Sequence, residues 1–161
     1  MIGRSKIGKL RFWFKSGSFF VIFFLFMTLA GSSPYAQSSY PIEISSVSFL
    51  NSIGQPISPP FHSGQFILVS PTLRNSTSQD LSFLCLVQIT NSQNLPFFLG
   101  FCSGQLPANT SNQFGLGVSL QGFQTGDYFL RVLVWNHWIW PSNSDPVILA
   151  CPFFQAFQVD N

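Results

Sequence analysis

From about residue 40 onward, apolar side chains recur at every second position in short runs, and Gly, Pro, Asn and Ser separate the runs. A period of two is the signature of half-buried strands, and no window shows the 3.6-residue spacing of an amphipathic helix. Ile42 to Leu50 opens the series, with Ile42 and Ile44 on one face and Val47 and Phe49 on the other. That change of parity at Ser45-Ser46 predicts a kink or a strand that switches sheets. Gln65 to Arg74 alternates Ile67, Val69, Pro71 and Leu73 against Ser70 and Thr72, and Pro71 favours an edge or a bulge because it has no ladder donor. Phe83, Cys85, Val87 and Ile89 form the inward set of a third strand. Asn91 to Asn94 turns the chain into a fourth, Leu95 to Cys102, and Gly104 to Ser111 is expected as a loop. Phe114, Leu116, Val118 and Leu120 line a fifth strand; Tyr128, Leu130, Val132 and Val134 line a sixth, with Phe129, Arg131, Leu133 and Trp135 facing outward. Pro152 to Val159 is the last. About seven strands at this spacing predict an all-β fold, an antiparallel β-sandwich with a single core.

The first 36 residues follow a different rule. Arg4, Lys6, Lys9, Arg11 and Lys15 precede an unbroken apolar run, Phe19 to Ala30. Such a run is shorter than the roughly 20 residues of a spanning helix and matches the apolar core of a secretory signal. Cleavage is expected after Ala36 or, in competition, after Ser32. The alternative is an uncleaved anchor spanning residues 12–30, in which Phe12, Trp13 and Phe14 lengthen the span. Basic residues ahead of the run place the body outside the cytoplasm in either case. The expected division is therefore residues 1–36, a signal peptide or N-terminal membrane anchor helix, and residues 37–161, one sandwich domain that is extracellular or at the cell surface.

Charge sharpens that division. The chain's net charge of +2 comes from its N-terminal segment, because the body carries only Arg74 and Arg131 against Glu43, Asp80, Asp127, Asp145 and Asp160. Two cations cannot displace the counterions of a phosphate backbone, so nucleic acid is excluded as a partner. Two histidines, His62 and His137, lie far apart in the chain and leave a metal site without ligands. No Gly-x-Ser-x-Gly turn and no phosphate loop is present, so neither catalysis nor a cofactor is expected.

Several short motifs resemble those of immunoglobulin-like CARDB-type domains from surface proteins of archaea and bacteria. They are Gly64-Gln65 before a strand, Asn75-Ser76 after it, Gly126-Asp127-Tyr128 opening a later strand, and Val134-Trp135-Asn136 closing it. The likeness covers roughly residues 40–160. It implies a seven-stranded immunoglobulin-like sandwich serving as a spacer, adhesion or display module. Phenylalanine stands here where that family usually has valine, and the three cysteines are foreign to it. Tyr128 also has a physical reading of its own: a hydroxyl there can tie down the preceding corner.

In an exported chain, Cys85, Cys102 and Cys151 suggest one disulfide and one free thiol. A hairpin turn centred between Ser92 and Gln93 sets Cys85 against Gly100, with Cys102 two residues further on the same face; one centred between Gln93 and Asn94 sets Cys85 and Cys102 directly opposite. A bridge then fits only at a non-hydrogen-bonded pair. Bridges of either residue to Cys151, or three buried thiols, are the alternatives. Asn75-Ser76-Thr77 and Asn109-Thr110-Ser111 are glycosylation sequons in expected loops, with Asn75 and Asn109 as acceptors.

Three of the four tryptophans fall in Trp135-Asn136-His137-Trp138-Ile139-Trp140. Trp135, His137, Trp138 and Trp140 are the candidate binding residues, since an indole offers a broad stacking face and one donor. The partner expected is an envelope protein or a glycan. The competing reading has the loop folding back to cover its own sheet. The expected function is an exported immunoglobulin-like module with a structural, adhesion or interaction role, and the alternative is a small carbohydrate-binding module using the Trp-rich loop.

Overall fold

A computed structural model describes residues 40–138 and 144–161. The signal or anchor segment and Trp140 lie outside the described residues. Ser39–Asn161 forms one compact unit. The described chain is all-β. Ten strands are present among the described residues: β1 Ile42–Leu50, β2 Pro56–Ile57, β3 Phe61–His62, β4 Phe66–Asn75, β5 Leu81–Asn91, β6 Pro96–Leu106, β7 Ser111–Gln113, β8 Leu116–Ser119, β9 Gly126–Trp135 and β10 Phe153–Asp160. One sheet has the order β2-β1-β4, with β7 and β8 lying along the far side of β4. The other has the order β3-β10-β9-β5-β6, antiparallel except where β3 runs parallel to β10.

The expected inward residues are the core. Ile67, Val69, Leu73, Phe83, Val87, Ile89, Val118, Leu130, Val132 and Val134 are all buried between the two sheets. At one end Phe49, Phe61 and Phe157 meet as a triangle of rings with centroids 5.0, 5.6 and 5.7 Å apart. Each such ring contributes roughly 3–5 kcal/mol by the cost of truncating it to alanine. Apolar burial of this extent is what two facing antiparallel sheets need in place of helices.

Two local irregularities have physical causes. The parity change in β1 is a bulge: the register against β4 shifts between Ile44 and Ser46, and β1 stays in one sheet throughout. Pro71 sits inside β4, at the junction where β7 gives way to β8, and not at an edge. Its carbonyl accepts the Phe114 N–H at 3.0 Å, and the return bond that proline cannot make comes from Ser70 Oγ to the Phe114 carbonyl at 3.2 Å. A side-chain donor thus replaces the missing backbone donor.

β6 runs on to Leu106 and β7 begins at Ser111, so the expected loop from Gly104 to Ser111 shrinks to residues 107–110. The Tyr128 hydroxyl donates to the Gln124 carbonyl (3.1 Å) and accepts from the Gln124 N–H (3.0 Å), closing the corner before β9.

Candidate interaction surface

β5 lies between β6 and β9, and its register brings three rows of side chains onto the outer face of the five-stranded sheet. Leu86 stands between Phe101 on β6 and Leu133 on β9; Leu84 stands beside Trp135; Gln88 stands between Leu99 and Arg131. Phe154 of β10 follows Arg131, and Phe129 follows Ala156. Leu84 and Leu86 are buried although they point away from the core, because these neighbours cover them. The covering residues are themselves open: Leu99 is 65% exposed, Phe101 56% and Phe154 62%. The Arg131 guanidinium lies 5.1 Å over the Phe154 ring. A contiguous exposed apolar face of this kind is uncommon on a lone soluble domain and marks a contact surface.

The tryptophan segment joins this face. Trp138 packs edge-on against Phe101 with centroids 4.9 Å apart, and Trp135 is half-buried beside Leu84. Both therefore cover their own sheet in part, while Trp138 keeps 39% of its surface open. His137 is committed elsewhere: Nδ1 lies 2.7 Å from the Trp138 carbonyl and Nε2 lies 3.2 Å from Ser144 Oγ. The sequence reading missed Leu99, Phe101 and Phe154. Leu99 and Phe101, two residues apart, carried the signal, but a strand's exposed face cannot be assigned before its place in the sheet is known; Phe97, at the bulge, turns instead against Phe123 and Tyr128.

Cys85 and Cys102 are directly opposite, but the turn does not set this: it centres on Gln93, with Asn91 bonded to Leu95 and Thr90 opposite Pro96, and the extra residue Phe97 shifts the ladder by one into this register. The backbone shows which kind of pair they form. Asn91 N–H donates to the Leu95 carbonyl across the hairpin (3.1 Å), so odd-numbered residues of β5 aim their ladder groups at β6. The other side agrees, since Leu149 N–H donates to the Val134 carbonyl and leaves the odd-numbered residues of β9 facing β5. Cys85–Cys102 is thus a hydrogen-bonded pair, with Cα atoms about 5.5 Å apart and Cβ atoms too wide for the roughly 3.8 Å of a disulfide. The condition for a bridge is not met there, and both are free thiols. Their sulfurs share a hydrogen bond. That bond, with burial, pushes the Cys85 thiol up and pulls Cys102 down against its own desolvation. Cys151 is exposed.

The two sequons differ. Asn109 is exposed, in a turn with positive φ. Asn75 is fully buried: its Nδ2 donates toward the Gln79, Leu106 and Pro107 carbonyls at 2.8, 3.0 and 3.1 Å. Its Oδ1 accepts from the Thr77 N–H at 2.9 Å and Oγ1 at 2.8 Å. This amide is a structural plug, and a glycan on Nδ2 is incompatible with it. Among the described residues, no group of three or more His, Cys, Asp or Glu side chains could hold a metal ion.

The two facing sheets and the tyrosine-tied corner define an immunoglobulin-like β-sandwich, and solved structures agree. The chain is similar to the C-terminal domain of wzt, with a TM-score of 0.59 at 10% identity over 75% of this chain and 74% of that one. It is also similar to part of a β-glucuronidase from glycoside hydrolase family 2 (TM-score 0.56, 11% identity, 75% of this chain and 13% of that one). A Bacteroides uniformis β-glucuronidase matches in the same way, with a TM-score of 0.52 at 10% identity over 73% of this chain and 14% of that one. The chain therefore spans only a small part of those enzymes. No family model matches it, and no characterised protein sequence does. The likeness is one of fold, and the CARDB-type resemblance has no counterpart at family level.

Proposed function

We propose that this chain is an exported, non-catalytic immunoglobulin-like module that contacts an envelope partner through the outer face of its β6-β5-β9-β10 sheet. The observation that carries this reading is the exposed apolar set of Leu99 and Phe101 on β6, Phe129 on β9 and Phe154 on β10. The basic segment and apolar run of residues 1–30 support export. The motifs shared with CARDB-type domains support a surface role as spacer, adhesion or display module. A glycan is the second reading. It is favoured by Trp138 against Phe101 and by Arg131 over Phe154, which set stacking faces beside a hydrogen-bond donor.

The test is a photo-crosslinking residue at position 154 or 129 in intact cells, beside a compartment reporter fused after Asn161. Crosslinks to an envelope protein or a surface glycan that Phe129→Ser weakens, at unchanged melting temperature, are the expected result. A reporter active only in the cytoplasm, or a face that crosslinks to nothing and binds no glycan, refutes the reading.

A further inference from the structure

The outer edge of β6 poses a separate question. β6 ends its sheet and is eleven residues long. Its even-numbered residues, Cys102 among them, point their ladder groups at β5, as the hydrogen-bonded Cys85–Cys102 pair requires. The N–H and C=O groups of Leu99, Phe101, Ser103 and Gln105 therefore point outward, and they make no hydrogen bond with any described residue. Proteins ordinarily protect such an edge with lysine, an internal proline, a bulge or a covering segment. β6 has no charged residue, its one proline is Pro96 at the start, and its one bulge is at that same end. Side chains flanking the open groups include Leu99 and Phe101, both exposed.

Only another extended strand satisfies a straight row of alternating donors and acceptors, and an uncharged apolar strand pairs best with another of its kind. We infer that the occupant is β6 of a second copy, antiparallel about a two-fold axis at Gly100, so that the two sheets become one. Odd-numbered residues must face odd-numbered residues for the open groups to bond. The Gly100-centred register places Leu99 of each copy opposite Phe101 of the other, giving two apolar cross-strand pairs. A register centred on Phe101 sets Leu99 against Ser103 instead. Gly100 itself brings no side chain to the axis; its inner side is covered by Phe98 of the same strand and by Leu116 of β8. Both strands are uncharged, so no like-charge repulsion opposes the pairing. This interface is the edge of the sheet, distinct from the Phe129–Phe154 end of its outer face.

Sedimentation equilibrium of the chain, in the form in which cells accumulate it, tests the inference. The parent is expected to show a concentration-dependent dimer. Phe101→Pro removes an outward N–H and no bond to β5, so it is expected to abolish the dimer with the fold retained. Phe101→Lys is expected to weaken dimerisation by at least about tenfold. Leu99→Glu combined with Phe101→Lys restores it, because the two-fold axis sets each new acid opposite a new base. If Phe101→Pro melts early, the lysine variant and its rescue decide alone. A parent that is monomeric at every concentration overturns the inference, as does a dimer indifferent to these variants, or one that Leu99→Glu fails to rescue.

Discussion

Replacing Asn75 by alanine isolates what a buried sequon does in this fold. The wild-type amide is 0% exposed and links the end of β4 to the Gln79 turn and to the Leu106–Pro107 end of β6. Alanine leaves the carbonyls of Leu106 and Pro107 without these donors, and the Thr77 N–H without its acceptor at 2.9 Å. A buried polar group deprived of its partner costs roughly 1–3 kcal/mol. Part of this set can turn to water at the surface, so the total is about 3–5 kcal/mol. A domain of this size loses roughly 3–5 °C of melting temperature per kcal/mol, which places the expected drop on the order of 10–20 °C. Tryptophan fluorescence during thermal unfolding measures it. A variant melting within about 2 °C of the parent, or a glycan mapped to Asn75 of folded protein, refutes the reasoning.

Asn109→Gln is expected to change stability by less than about 0.5 kcal/mol, since the side chain is exposed; the same melting experiment checks it. Tyr128→Phe removes both hydrogen bonds of the corner and is expected to cost about 1–2 kcal/mol in a urea titration; an unchanged midpoint counts against the corner's role. In the native state a maleimide is expected to label Cys151 and to leave Cys85 untouched until the chain unfolds, because Cys85 is buried and its thiol is pushed up by its bond to Cys102 and by burial. Peptide mapping without reductant is expected to find Cys85 and Cys102 unbridged, and a linked 85–102 peptide refutes the assignment of a hydrogen-bonded pair.

The inward face of each long strand was legible because period-two alternation is local and survives any arrangement of the sheets. Ile42, Phe83, Val87 and Leu130 needed only their neighbours in sequence to be assigned to the core. The Cys85–Cys102 register was one of two that the sequence left open, and the bulge at Phe97 decided it by shifting the ladder beyond the turn by one residue. Whether that pair is hydrogen-bonded was not legible either, because the answer depends on which way the backbone groups of β5 point. Asn75 shows the same limit. Its sequon does lead into a turn, but Asn75 itself ends β4, and nothing local says that Leu106 and Pro107 come back to bury it.

Alternation, turn residues and the basic-then-apolar start determined an all-β body, its core positions and an expected export signal, since each is written in spacings of a few residues. Tertiary structure alone decided that β6 is an edge and β5 is not, that Pro71 falls where two strands exchange along β4, and that Leu84 and Leu86 lie under Trp135 and Phe101. Strand order is set by pairings between residues tens of positions apart, and a period of two contains no information about which strand lies next to which.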